Sequence, residues 1–296
     1  MVDIMTKVAV ISTKDRVYGV NKSLELLGIN SVKGKKVVFK PNFNTADPPP
    51  ASSSMETVKQ LIIKLKEMGA KTITLAERAG PAKTSDVFEK KGLSALAKEL
   101  GFNVVDLTNV PNDAYILKKP EGNHWKDGFL FAKIYDEAEC IVETCCLKTH
   151  MYGGHFTMSL KNAVGLVNKK NMAELHSSKY QREMIAEINC VYKPDLIVMD
   201  GVITFVDQGP MEGPRVEANV FVTGTDKIAI DAIGVAILRI LGTTPEVTSG
   251  PIFELDQIKR AIQLRLGINS PTEIEFLTDS EESEEFVAKI KEELIK

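Results

Sequence analysis

The chain has 296 residues, 44% of them hydrophobic and 26% charged, which is the composition of a folded protein and excludes disorder as its main state. That length suits one large α/β domain or two smaller ones. A net charge of −3, one tryptophan and few aromatics argue against nucleic acid or an acidic membrane as partner, leaving only a local basic patch open.

Strand-like and helix-like segments alternate along the chain. The apolar stretch from Met1 to Ile11 is too short for a signal peptide and reads as a first strand centred on 7–11. A strand at 36–39 precedes a helix over 54–68, where Val58, Leu61, Ile62, Leu65 and Met68 recur at helical spacing and Gly69 closes the run. Residues 71–75 read as a strand, 86–100 as a helix and 103–107 as a strand. Further strands are expected at 138–142, 195–199 and 218–222. A strongly apolar helix over 226–241 packs against the sheet, and a charged amphipathic helix over 282–295 covers it.

Two stretches break the rhythm. Residues 44–54, with Pro48, Pro49 and Pro50, read as a loop, and 147–172 is rich in Lys, His, Asn and Gly with little periodicity. The fold expected is α/β: a mostly parallel, doubly wound sheet with helices on both faces and an elaborated second half. One domain over 1–296 is preferred, with a subdomain over about 140–215 as its variant. The longest apolar runs are strand-length or broken by Asp and Arg, so no membrane span and a cytoplasmic location are expected. Cys140, Cys145, Cys146 and Cys190 include no C-x-x-C pair and read as reduced cysteines in or near the core.

In open α/β sheets ligands bind beyond the carboxyl ends of the strands, so the residues after each strand are the ones to weigh. Lys40, Asn42 and Asn44 follow the strand at 36–39, and Glu77 and Arg78 follow the next. Lys148 and His150 come after 138–142, Asp200 after 195–199, and Asp226 after 218–222. Each has a structural alternative. Lys40 can cover a sheet edge, and Asn42 and Asn44 suit turns. Asp226 suits a helix N-cap, and Lys227 with Asp231 suits a surface pair at i,i+4.

The densest polar segment runs from Lys148 to His155, with Lys161 and Asn162 just beyond. Gly153 and Gly154 let the backbone turn, so His150 and His155 with a carboxylate would make an open divalent-metal site, although His-x4-His is not a standard ligand spacing. Anion binding is the other use: Lys40, Lys148 and Lys161, with Asn side chains and backbone N–H groups at a helix start, suit a phosphate or carboxylate. His176, on a helical stretch over 172–188, and the Gly/Pro-rich loop at 208–215, which contains Gly209, reach the cleft or stay outside it; both outcomes are open. No G-x-G-x-x-G follows a strand, no phosphate loop has the right spacing, and no G-x-S-x-G occurs. Dinucleotide dehydrogenases, P-loop NTPases and α/β-hydrolases are therefore disfavoured.

Lys40-Pro41-Asn42, Lys148-Thr149-His150, Leu160-Lys161-Asn162, Asp200-Gly201, Gly209-Pro210-x-x-Gly213 and Thr225-Asp226-x-x-Ala229-Ile230-Asp231-Ala232 occur in this order. The set resembles the domain-of-unknown-function 362 family over roughly residues 7–242. The resemblance implies a polar cleft and carries no established reaction. Many relatives bear an appended ferredoxin module with clustered cysteines. This sequence has no such cluster, so no iron–sulfur cluster is expected within it, and a redox role would need a separate ferredoxin-type electron carrier.

Two functions follow as expectations. In the first, an enzyme acts on a small anionic substrate, with or without a metal. His150, Lys148 and Asp200 are its catalytic candidates, and Lys40, Asn42, Asn44, Glu77, Lys161, Asn162, Gly209 and Asp226 its substrate-binding candidates. In the second, the same cleft belongs to a non-catalytic ligand-binding or redox-accessory protein.

Overall fold

The computed structural model describes residues 5–296. Of the N-terminal stretch read as a strand, residues 1–4 lie outside the described part. In chain order the strands are β1 (Thr6–Ser12), β2 (Lys36–Lys40), β3 (Thr72–Glu77), β4 (Asn103–Asp106), β5 (Tyr115–Lys118), β6 (Phe129–Ala132), β7 (Cys140–His150), β8 (His155–Thr157), β9 (Leu196–Phe205), β10 (Arg215–Gly224) and β11 (Ile274–Leu277). Nine of them form one sheet in the order β11-β1-β10-β9-β7-β2-β3-β4, with β8 on the end of β7, while β5 and β6 pair separately. β10 runs antiparallel to both β1 and β9, and β8 antiparallel to β7; the other pairings of this sheet are parallel, and β5 and β6 pair antiparallel.

Helices cover both faces, as the α/β reading expects. On one face the helices Arg16–Leu27, Met55–Glu67 and Leu93–Leu100 pack Val20, Leu61, Ile62 and Leu96 against Val37, Phe39, Val198 and Phe221 of the sheet. On the other, the helix Lys227–Leu241 lies over Val10, Cys145, Leu147, Met199 and Val222, with Asp256–Gln263 and Glu281–Leu294 against it. A third cluster joins the β5–β6 pair, through Trp125, Phe129 and Phe131, to the helix Gln181–Ile188. Among the described residues no helix is long and apolar enough to cross a membrane.

Several predicted elements change length, and the reasons are local. The helix expected over 86–100 is two, Thr84–Lys90 and Leu93–Leu100, because Gly92 sits between them at φ 64°. The stretch 172–188 likewise splits into Met172–Ser177 and Gln181–Ile188. The helix Arg16–Leu27 is not among the predicted elements, yet Asp15 caps its start and Gly28 ends it in the left-handed region.

β7 differs most. It was expected to stop near residue 142, before the aperiodic stretch, and instead runs eleven residues to His150, all of them buried. A central strand with layers on both faces can carry polar residues only if each finds a partner or a cavity. Here Lys148 and His150 extend into a cavity, and between them Thr149 Oγ1 donates to the Phe205 carbonyl at 3.2 Å.

Lys227 and Asp231, read as a surface pair, are buried at 4% and 0% exposure. The helix carrying them lies face down on the sheet, and both groups hold other segments. Lys227 Nζ donates to Asn189 Oδ1 at 3.0 Å and to the Tyr192 carbonyl. Asp231 Oδ1 accepts from the Ser159 and Leu160 backbone N–H groups at 2.8 and 3.3 Å. It thereby pins the turn Ser159–Asn162. Replacing Asp231 with Ala strands those buried donors and is expected to lower the unfolding free energy by about 3 kcal/mol, read from the urea midpoint at unchanged slope. Asp231→Asn keeps an acceptor oxygen and is expected to lose less than half as much.

Candidate functional site

A cleft of about 760 Å³ opens beyond the carboxyl ends of β2, β3 and β7. Its floor is a chain of buried polar groups. Lys40, at the end of β2 and 1% exposed, donates to Glu77 Oε2 at 2.8 Å, to Asn162 Oδ1 at 3.0 Å and to the Pro41 carbonyl at 2.6 Å. Asn42 Nδ2 donates to the same Asn162 oxygen at 3.1 Å. Its own Oδ1 accepts from Lys148 Nζ at 2.9 Å, and Lys148 also donates to the Ala51 carbonyl at 2.7 Å. Glu77 accepts the Phe43 and Arg78 backbone N–H groups at 3.0 and 2.9 Å. Gly165 passes so close that a Cβ there would stand 2.7 Å from Glu77 Oε1 and 3.0 Å from Lys40 Nζ.

Above this floor stand groups with few partners. Lys161 is 8% exposed, and its Nζ makes no hydrogen bond or ion pair with any described residue. Arg78 donates to the Val164 and Ala79 carbonyls at 2.7 and 3.1 Å, while its Nε is buried without a partner. His150 Nδ1 and Thr157 Oγ1 are also buried and unpartnered. The rim carries Lys169, His176, Tyr152, Pro210 and Met211.

The ionisable groups respond to this crowding. Burial, and then the neighbouring Lys148 and Arg78 charges, bring Lys161 down to about 8. Burial also brings Lys148 down to about 8. His150 falls well below the ordinary imidazole value, first through burial and then through the Lys161 and Lys148 charges. At neutral pH it is an uncharged imidazole. His176 is lowered for the same reasons, with Lys161 the leading charge.

Of the predicted site residues, the fold brings together Lys40, Asn42, Asn44, Glu77, Lys148, His150, Lys161 and Asn162. His176 and the 208–215 loop, both left open, line the same cleft, the loop through Pro210 and Met211. Gly209 itself acts from behind. At φ 69° it lies against β7, where a Cβ would meet the Thr149 carbonyl oxygen at 2.1 Å.

Asp200, His155 and Asp226 stand elsewhere. Asp200 is not at a strand end, because β9 continues to Phe205, and alternation turns its side chain to the opposite face. There it accepts from Arg16 Nε at 2.9 Å and Thr57 Oγ1 at 2.6 Å. Asp226 follows β10, the strand that runs antiparallel, so it lies at the other edge of the sheet. It caps the helix Lys227–Leu241 through Ala229 N at 2.9 Å and holds Ile268 N at 2.9 Å.

His155 pairs with His150 across the β7–β8 turn, outside the cleft and in the field of Arg182, Glu246 and Asp256. Among the described residues no three His, Cys, Asp or Glu side chains form a group that could hold a metal ion. The metal site expected from His150 and His155 is thus not assembled, and the cysteines do not come together as cluster ligands. The backbone N–H groups expected to meet an anion at a helix start are also taken, since Asp231 accepts those of Ser159 and Leu160.

Arg78, Lys169, Thr157 and Tyr152 were not among the site candidates. Arg78 had a signal, its place directly after Glu77 at a strand end. The others reach the cleft through the hairpin and turns of the aperiodic stretch, which gave none.

The family model for the Domain of unknown function (DUF362) matches residues 37–236. The thylakoid-associated protein sll1697 of Synechocystis sp. is 26% identical over 255 residues, covering 83% of this chain and 72% of its own length. The lactate racemase apoprotein from Thermoanaerobacterium thermosaccharolyticum gives a TM-score of 0.48 at 14% identity, over 97% of this chain and 87% of that one.

The cleft lysines set a pH dependence. Lys148 and Lys161 lose their protons near 8 in the fold and near 10.4 when unfolded, so between those values the unfolded state binds more protons. Their contribution to stability therefore rises with pH from about 8 to about 10.4. Thermal unfolding of wild type against Lys161→Met is expected to show the gap between the two narrowing across that window.

Proposed function

We propose, on the premise that the chain belongs to the domain-of-unknown-function 362 family, that the protein is an enzyme whose cleft binds a small anion bearing a phosphate or carboxylate group. The carrying observation is the charge balance of the cleft wall. Lys40, Arg78, Lys148, Lys161 and Lys169 line it against a single carboxylate, Glu77, which is already bonded to Lys40. Of these, Arg78, Lys148 and Lys161 are buried with no carboxylate in an ion pair with them among the described residues, an unfavourable arrangement that a bound anion relieves.

Each group then has a role that its bonding supports. Lys148 is fixed by Asn42 and Ala51, so it presents a charge in a set direction. Arg78 meets an oxyanion with a donor that has no other partner. Neutral His150, next to two lysines, is suited to take a proton from a bound substrate and return it. Pro210 and Met211 close one side of the opening, which supports a covering role for their loop. A cytoplasmic location is part of the proposal; the thylakoid association belongs to the Synechocystis relative.

Thermal unfolding with inorganic phosphate, oxalate or succinate tests the reading. At a hundredfold excess over the dissociation constant, at least one of the three is expected to stabilise wild type by about 2.7 kcal/mol, or about 5 °C or more. Lys148→Met is expected to remove most of that shift, and Lys98→Met, an exposed lysine outside the cleft, to leave it intact. Equal shifts in all three proteins would place the anion elsewhere. Binding without turnover would favour the second function, a protein that holds its ligand for a separate ferredoxin-type carrier.

A further inference from the structure

Resting on the anion-binding reading and deepening it, we propose that Lys161 is a nucleophile that captures the carbonyl of a 2-oxo or aldehydic carboxylate as an imine. The three central cleft lysines differ in one respect that decides their chemistry. Lys40 has three acceptors and Lys148 has two, so the nitrogen of each is already engaged. Lys161 has none among the described residues, although it is as buried as a core side chain. An ion-pairing lysine needs a carboxylate beside it, and the one carboxylate lining the cleft is spent on Lys40.

The stem of Lys161 is also held in place. Its turn, Ser159–Asn162, is pinned by Asp231, and its Cε packs against Gly154, where a Cβ would stand 2.9 Å away. The same imaginary Cβ would stand 2.9 Å from His150 Nδ1, so the amine stem and the unpartnered imidazole nitrogen flank one glycine. The cleft therefore places a fixed amine, a neutral base and anion-binding cations around one volume. That is the set a carbonyl acid requires.

Burial supports the same reading. With its pKa near 8, Lys161 carries a free-amine fraction of roughly a tenth at pH 7, a few hundredfold more than an ordinary lysine. The carboxylate of the bound acid meets Lys148 and Arg78. The Lys161 nitrogen pair then forms a bond to the carbonyl carbon as the C=O π pair moves to oxygen. His150 takes the proton leaving nitrogen and returns it to that oxygen, giving a carbinolamine. That oxygen then takes up a second proton, the one given to solvent when the Lys161 ammonium became the free amine, and leaves as water while the nitrogen pair forms the C=N bond of the protonated imine. One water is released, no electrons change hands and no co-reactant is consumed.

Reductive trapping tests this. The full chain is incubated separately with glyoxylate, pyruvate and 2-oxoglutarate in the presence of cyanoborohydride, and the product is mapped by peptide mass. At least tenfold more adduct is expected on Lys161 than on any other lysine, with its rate rising as pH passes through about 8. Lys161→Arg is expected to lose that adduct while the background on surface lysines stays. Thermal unfolding of wild type with the same acids, without reductant, separates the two readings. A stabilising shift with no Lys161 adduct overturns the imine and leaves the anion site standing. Neither shift nor adduct overturns both. Adduct spread evenly over the lysines, unchanged in Lys161→Arg, also overturns the imine, and needs no assumption about how the variant folds.

Discussion

The Lys40 ammonium sits where β2, β3 and the Ser159–Asn162 turn meet, and it bonds to Pro41 just past β2, to Glu77 of β3 and to Asn162 of the turn. A lysine 1% exposed holds its charge only if the surrounding acceptors replace water, and Glu77, Asn162 and the Pro41 carbonyl do so. Removing one partner from such a pair typically costs about 3–5 kcal/mol, because the other is left charged and buried. The consequences spread in a fixed order. With its oxygen occupied by Lys40 and Asn42, the Asn162 amide has one orientation. Asn42 must then turn its own oxygen to Lys148. The floor of the cleft is a single bonded line from Glu77 to Lys148, and Lys161 and Arg78 are what that line leaves over.

Behind this floor lies a second buried layer of opposite character. Glu143, directly across from Lys40 on β7, and Asp231 are both fully buried, and burial raises the pKa of each. Lys227 stands near them and is lowered, again by burial first. These groups do not line the cleft, and none of them forms an ion pair with Arg78, Lys148 or Lys161 among the described residues. The cleft can thus keep a surplus of positive charge in a chain whose net charge is −3. Net charge describes the whole surface, whereas binding depends on the few groups within a Debye length of the ligand.

Membership of a family without an assigned reaction leaves chemistry to be argued from the site itself. What distinguishes this one is the uneven bonding of like residues. Lysines that look equivalent along the chain become an ion-pair member, a lysine fixed by two oxygen acceptors and one with no acceptor among the described residues. No motif distinguishes them, because the acceptors come from strands and turns up to 122 residues away.

The chain's own periodicity determined the alternation of strands and helices, the cap at Asp226 and the apolar helix after it, and most of the strand-end residues that reach the cleft. These depend on neighbours a few residues away, and such neighbours are written in order along the chain. Tertiary structure decided the rest. Whether Asp226 lies at the cleft edge depends on β10 running antiparallel, which is set by its pairing with β1 and β9. Whether Asp200 faces the cleft depends on how far β9 extends, and whether Lys227 is on the surface depends on which side of its helix meets the sheet. Direction, face and burial are properties of the partner segment, and local sequence carries no record of a partner that folding brings from a distance.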